Sequence, residues 1–323
     1  MAVEISDWDE LQTIDLDLTG DYVLVNDLDE NTDGYPGDGF EPIGFVENSS
    51  FTSEFVGTLN GDGYSIRDLV VDKTDVGDIG LIASMDTGGL VENLSVGGKV
   101  TNSDVDGECT GGLVGYMRNG VVQNCSSDVD VVASGDRVGV LVGHTRNDSE
   151  VWRTYTYGSV EGRFSVGGSV GDHRGTLIDS YSLSSVEGEY DVGGLAGLED
   201  DYIENCYAAG PVTGEGDDGG LTGRGWGDVI DSYWDTEATG YDTSDKGTGL
   251  TTAEMQGSEA ETNMEGFDFA DVWDSVLESD GDTTADGYPI LTSVDRENQL
   301  EAQGILSLLE PPQAPTNLVA TLG

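Results

Sequence analysis

One four-residue phrase returns six times along the chain. It reads Gly80-Leu81-Ile82-Ala83, Gly112-Leu113-Val114-Gly115, Val140-Leu141-Val142-Gly143, Gly168-Ser169-Val170-Gly171, Gly194-Leu195-Ala196-Gly197 and Gly220-Leu221-Thr222-Gly223, with first positions 32, 28, 28, 26 and 26 residues apart. A period in this range is the mark of a solenoid, in which each unit buries its apolar face against its neighbours. A second series keeps step with the first. Asp68, Asn93, Asn124, Arg153, Asp179, Asn205 and Asp231 each follow a short apolar run, at spacings of 25, 31, 29, 26, 26 and 26. A third apolar element, as in Gly158-Ser159-Val160, completes the period. Three short strands per unit and no helical pattern predict an all-β chain, a parallel β-helix (solenoid) of about seven coils. Equivalent residues would then lie about 4.8 Å apart. That spacing stacks Leu81, Leu113, Leu141, Leu195 and Leu221 in one buried column. The tetrad glycines are expected to supply positive φ at a tight corner. The Asn/Asp series is expected at turns, bonding the backbone of the next coil.

Around this array, residues 1–55 read as an N-terminal cap, with Ser6 opening a short helix that carries Trp8 and Leu11. Residues 56–234 hold the coils. Residues 235–309 read as a C-terminal cap with short helices, one opened by the capping box Thr251/Glu254. Its aromatics, Phe267, Phe269 and Trp273, are expected to close the last coil, and Leu300 to Leu309 form an amphipathic helix. Residues 310–323 are a Pro-rich linker.

Charge narrows the setting. Twelve Lys and Arg stand against 64 Asp and Glu, a formal net charge of −52. The acids are dispersed, not blocked, so this is no acidic tail. Such self-repulsion is tolerable where the Debye length shrinks to about 3 Å, in molar salt. The balance excludes nucleic-acid binding, which needs a basic face. The N-terminus shows neither the basic nor the apolar region of a secretory signal, and no stretch approaches the ~20 apolar residues of a membrane span. Cys109, Cys125 and Cys206 are too few and scattered for a disulfide framework. Cys125 and Cys206 read as small core residues.

The repeats resemble the GLUG motif of bacterial and archaeal surface adhesins and of regions flanking IgA-specific metallopeptidases. Asp231 to Leu291, with Tyr-Trp-Asp-Thr-Glu, Gly-Thr-Gly-Leu-Thr-Thr-Ala-Glu-Met and Tyr-Pro-Ile-Leu, is similar to the segment that ends such arrays. The resemblance covers about residues 5 to 295 and departs at Val140 and Arg153. It implies a right-handed parallel β-helix, scaffold or adhesive segments of large extracellular proteins, and no catalytic residues. The tail from Pro311 is similar to the first strand of a fibronectin type III domain.

Candidate chemistry is sparse. Asp29, Asn31 and Asp33, in Asp-Xaa-Asn-Xaa-Asp-Gly, have the form of a calcium loop, but Phe40 stands where its final Glu belongs; the alternative is an acidic turn. His144 and His173, with Asp172, lack a further firm metal ligand and read as a solvent-exposed turn. A lyase would need clustered cations, whereas Arg118, Arg137, Arg146 and Arg163 look isolated. Sequons begin at Asn48, Asn93, Asn124 and Asn147. Together these features predict a non-enzymatic structural and attachment protein of a haloarchaeon or its virus. It would be a tail-fibre or spike component on the virion surface, a homo-oligomer contacting other virion proteins and a host receptor such as a glycan or S-layer. No membrane insertion is expected. The alternative is a cellular adhesin or a non-catalytic module of a secreted protein, with a polysaccharide-degrading enzyme a distant third.

Overall fold

The computed structural model describes residues 1–37, 39–44, 53–74, 77–103 and 109–306. The chain winds as a parallel β-solenoid whose coils lay short strands into four sheets. The tetrad sheet takes Ile82–Met85, Val114–Arg118, Val142–Arg146, Val170–His173, Ala196–Glu199 and Thr222–Gly225. A nine-stranded sheet runs from Val3–Ile5 to Asp228–Ile230 and includes Asp21–Leu24 as its second rung. The N-terminal strands therefore extend the ladder they were expected to cap. Most coils have four or five strands, not three, because a short strand such as Asp136–Gly139 precedes five of the six tetrads and the third element splits in later coils. The tetrad sheet has six rungs, against about seven expected. The seven polar positions bracket six coils, with Asp231 at the turn between strands Asp228–Ile230 and Tyr233–Asp235.

The core follows the repeat. Leu81, Leu113, Leu141, Leu195 and Leu221 are fully buried in one apolar cluster. Their backbones link coil to coil, Leu113 N–H donating to Leu141 O at 3.0 Å and Leu195 N–H to Leu221 O at 2.9 Å. Ser169 occupies the remaining rung. Each tetrad sits at the corner between two sheets. Its glycines do not adopt positive φ, contrary to expectation. What they supply is closeness: a Cβ on Gly143 would lie 2.6 Å from Gly115 O and from Thr110 N. The left-handed backbone falls instead on the polar series, from Asp231 at φ 42° to Asp68 at 56°. Asn and Asp tolerate that region because their short side chains bond locally. The side-chain partners are mostly one another, with Asn124 Nδ2 donating to Asn93 Oδ1 at 3.3 Å and Asn205 Nδ2 to Asp179 Oδ1 at 3.3 Å.

Outside the coils, helix Trp8–Gln12 is capped by Asp7, whose carboxylate accepts from Glu10 N–H at 2.8 Å, and not by Ser6. After strand Thr248–Leu250 adds a final rung, helices Thr252–Met255 and Gly257–Asn263 and the antiparallel pair Trp273–Val276 and Gly287–Leu291 form a lobe. The lobe does more than close the last coil. It lies along the solenoid's flank on Tyr155, Tyr181, Tyr207 and Tyr233, which share one register column. Tyr207 Oη donates to Pro289 O at 2.7 Å, and Tyr181 Oη to Gln299 Oε1 at 3.0 Å. The helix expected over Leu300 to Leu309 is not seen at those bounds: a helix spans Arg296–Ala302 and ends there, and residues 307–309 lie outside the described residues. Asn48 and the Pro-rich segment 310–323 lie outside the described residues.

Candidate functional site

The densest gathering of chemistry-bearing side chains follows directly from register. The residue after each tetrad lies in one column, where His144 pairs with Tyr116 on one side and Asp172 on the other. Cys109 and Arg137 approach from the preceding sheet. Asp172 is 2% exposed. Its carboxylate is gripped by Arg174, Nε to Oδ1 at 2.9 Å and Nη2 to Oδ2 at 3.1 Å, and meets Arg137 Nε at 3.3 Å. A buried carboxylate is stable only with such partners.

His144 bridges this ion cluster to a thiol, but loosely. Its Nε2 stands 3.9 Å from Asp172 Oδ2, its Nδ1 stands 3.9 Å from Cys109 Sγ, and Nε2 has no hydrogen-bond partner. Burial pushes the imidazole down to about 4, against the pull of Asp172, so it is neutral at neutral pH. His173 is fully covered. Its Nε2 meets Tyr202 O at 3.1 Å, and a carbonyl can only accept, so Nε2 carries the proton; Nδ1 then accepts from Thr145 Oγ1 at 2.9 Å. Both histidines are interior groups, which overturns the exposed-turn reading. The spacing that puts them one coil apart also puts them against the next strand.

The Cys109–His144–Asp172 row has the residue types of a nucleophile, base and orienter. Its contacts are too long for proton transfer in this state, and all three residues are covered. Cys125 and Cys206 are core thiols, Cys125 pushed up to about 12 by burial.

Arg118 and Arg146, which look isolated along the chain, are neighbours in the fold and align with Arg174. Arg118, Arg146 and Arg174 recur every 28 residues, and Arg118 pairs with Arg146 across adjacent strands. Arg118 is held by Glu54 and Asp86, and Arg174 by Asp172 and Asp200. The central Arg146 is exposed and makes no ion pair among the described residues. The 28-residue spacing was the signal available in the sequence, since it equals the local coil period.

Asp29, Asn31 and Asp33 share one turn beside Trp8. Asp29 Oδ1 accepts from Asn31 N–H at 2.8 Å and Thr32 Oγ1 at 3.1 Å, and the Asn31 amide holds that carboxyl below its usual range. Trp8 binds the turn through Nε1 to Asp29 O at 2.9 Å and N–H to Asp33 O at 3.1 Å. Among the described residues, no group of three or more His, Cys, Asp or Glu side chains is arranged to hold a metal ion. No helix of the described residues is long and apolar enough to cross a membrane.

Comparison with known proteins agrees with this architecture. The model of the GLUG motif matches residues 106–132. A stretch of 153 residues, 45% of this chain, is 30% identical to halomucin of Haloquadratum walsbyi and spans 2% of that protein. A crystal structure from Bacteroides ovatus, provisionally named an immunoglobulin A1 protease, superposes with a TM-score of 0.68 over 91% of this chain and 93% of that one, at 17% identity. At that identity the likeness shows the fold alone. The fold and repeats define a class, the parallel β-solenoids. Within it, this chain is similar to GLUG-repeat β-helix proteins, with the motif itself matched at residues 106–132.

Proposed function

We propose that this chain is a non-enzymatic structural and attachment module, displayed on a surface bathed in concentrated salt. The observation that carries the reading is where the chain keeps its order and where it spends its charge. Buried columns repeat from coil to coil, and the most reactive-looking residues, Cys109, His144 and Asp172, are covered and meet only through long contacts of 3.9 Å. Acids such as Glu150, Glu161 and Glu187 lie exposed at strand ends. A surface of that kind stays hydrated and soluble when salt screens its repulsion. The likeness to halomucin supports a surface or extracellular setting.

In its finer form the reading makes the chain a tail-fibre or spike component of a haloarchaeal virus, multimeric and facing a host receptor. The halomucin likeness favours a second reading, an adhesin-like module of a cell surface. Mass spectrometry on virus particles and cell envelopes purified from one culture separates the two. Recovery with the particles as a multimer supports the virion reading; recovery only in the envelope overturns it. Recovery solely in the cytoplasmic fraction contradicts both. Turnover of envelope polysaccharide or protein by the purified chain would overturn the non-enzymatic reading.

A further inference from the structure

The column under the C-terminal lobe changes character partway along. In strict register it reads Ser65, Ser95, Ser126, Tyr155, Tyr181, Tyr207, Tyr233. Tyr181 and Tyr207 stack at 4.8 Å and Tyr155 and Tyr181 at 5.3 Å, and the lobe covers them. At the three serine rungs the rings are missing, so a trough about two rung spacings (~10 Å) long is left beside Tyr155. Ser126 Oγ donates to Ser95 Oγ at 2.8 Å on its floor. The result is a cleft of about 280 Å³ between the serine rungs and the lobe's last helix, Arg296–Ala302.

The lining specifies a ligand type. Tyr157, half-buried, stands at one end with its ring nearly parallel to that of Tyr155, 15° apart at 6.1 Å. An aromatic wall offers an apolar face with a polar tip. Around it, Asp128 and Glu301 offer acceptors, Arg67 donors, and Asn298 both. Two carboxylates against one guanidinium, within a chain of net charge −52, disfavour an anion. Hydroxyls on the floor disfavour an aliphatic guest. A pyranose ring, with one C–H face and a girdle of hydroxyls, answers all of these features, and the volume, at the low end for ligand sites, admits one or two such rings.

We propose that this cleft is a subsite for a neutral sugar, the point at which the attachment surface holds a glycan; its role in attachment rests on the function proposed above. The decisive variant is Ser126→Tyr, which continues the tyrosine ladder by one ring and fills the trough with a side chain the column already stacks. Saturation-transfer NMR on the full chain in multimolar KCl, with methyl glycosides of glucose, galactose and mannose and with glucuronate alongside, reads the outcome. Transfer to at least one neutral glycoside is expected, kept in Ser126→Ala, weakened in Tyr157→Ala and lost in Ser126→Tyr. No transfer from the unaltered chain, transfer that survives Ser126→Tyr, or transfer to glucuronate alone would overturn the proposal. A chain that takes glycosides but is retained on no envelope leaves the subsite standing and removes attachment. A chain that is retained but takes none does the reverse.

Discussion

Asn124 donates its side-chain amide to Asn93 Oδ1, one coil away, from a backbone held at φ 50°. Both properties belong to the one residue type: the amide extends the ladder and the short polar side chain tolerates the left-handed region. Asn124→Gly keeps the backbone and loses the bond, costing about 1 kcal/mol. Asn124→Ala loses the bond and adds left-handed strain of about 1–2 kcal/mol. Urea unfolding in high salt should rank the alanine variant below the glycine variant. The opposite order would show that the column is a hydrogen-bond ladder only.

The leucine column makes a sharper demand on packing. Leu141 is fully buried with neighbours on both sides. Leu141→Ala should cost about 3–5 kcal/mol, measured by the same unfolding curves. A cost near that of a surface substitution would contradict the buried column.

Two buried groups pull stability in opposite directions with pH. Glu199 is fully covered, and burial pushes its carboxyl up from 4.5 to about 7. Its contribution is present at low pH and is lost as pH rises from about 4.5 through about 7. His144, pushed down from 6.5 to about 4, contributes at high pH and loses that contribution as pH falls from 6.5 through about 4. Unfolding free energies across this window should rise relative to the parent at the alkaline end in Glu199→Gln, and lose their acid-side slope in His144→Asn. Parallel profiles in parent and both variants would contradict the assignment.

Charge sets the working medium. With a net charge of −52, the melting temperature should climb steeply as KCl rises into the molar range and the Debye length falls toward 3 Å. NaCl should act much as KCl does, because screening is not ion-specific. A melting temperature indifferent to salt would remove the reason for the acid surplus.

The repeat was legible in the sequence because a period survives any choice of local conformation. It predicted the Leu81-to-Leu221 column, the parallel ladder and the place of the polar series. The backbone conformations were assigned to the wrong residues, since glycine permits positive φ without requiring it, and the tetrad uses glycine for close approach. The site geometry was less visible. Arg118, Arg146 and Arg174 carry the coil period but lie outside the tetrad, and their kinship shows only when the strands are laid in register. The tyrosine column likewise repeats every 26 residues from Tyr155 to Tyr233. Nothing local tells that a lobe some fifty residues beyond Tyr233 will lie across it, because that contact depends on how the chain returns.

The central claim is that this solenoid attaches to a surface in concentrated salt. It is tested most directly by retention of the labelled full chain on intact haloarchaeal envelopes in multimolar KCl, before and after periodate oxidation of surface sugars. Saturable retention that periodate abolishes is the predicted result. No saturable retention on either the untreated or the oxidised envelope would contradict the claim.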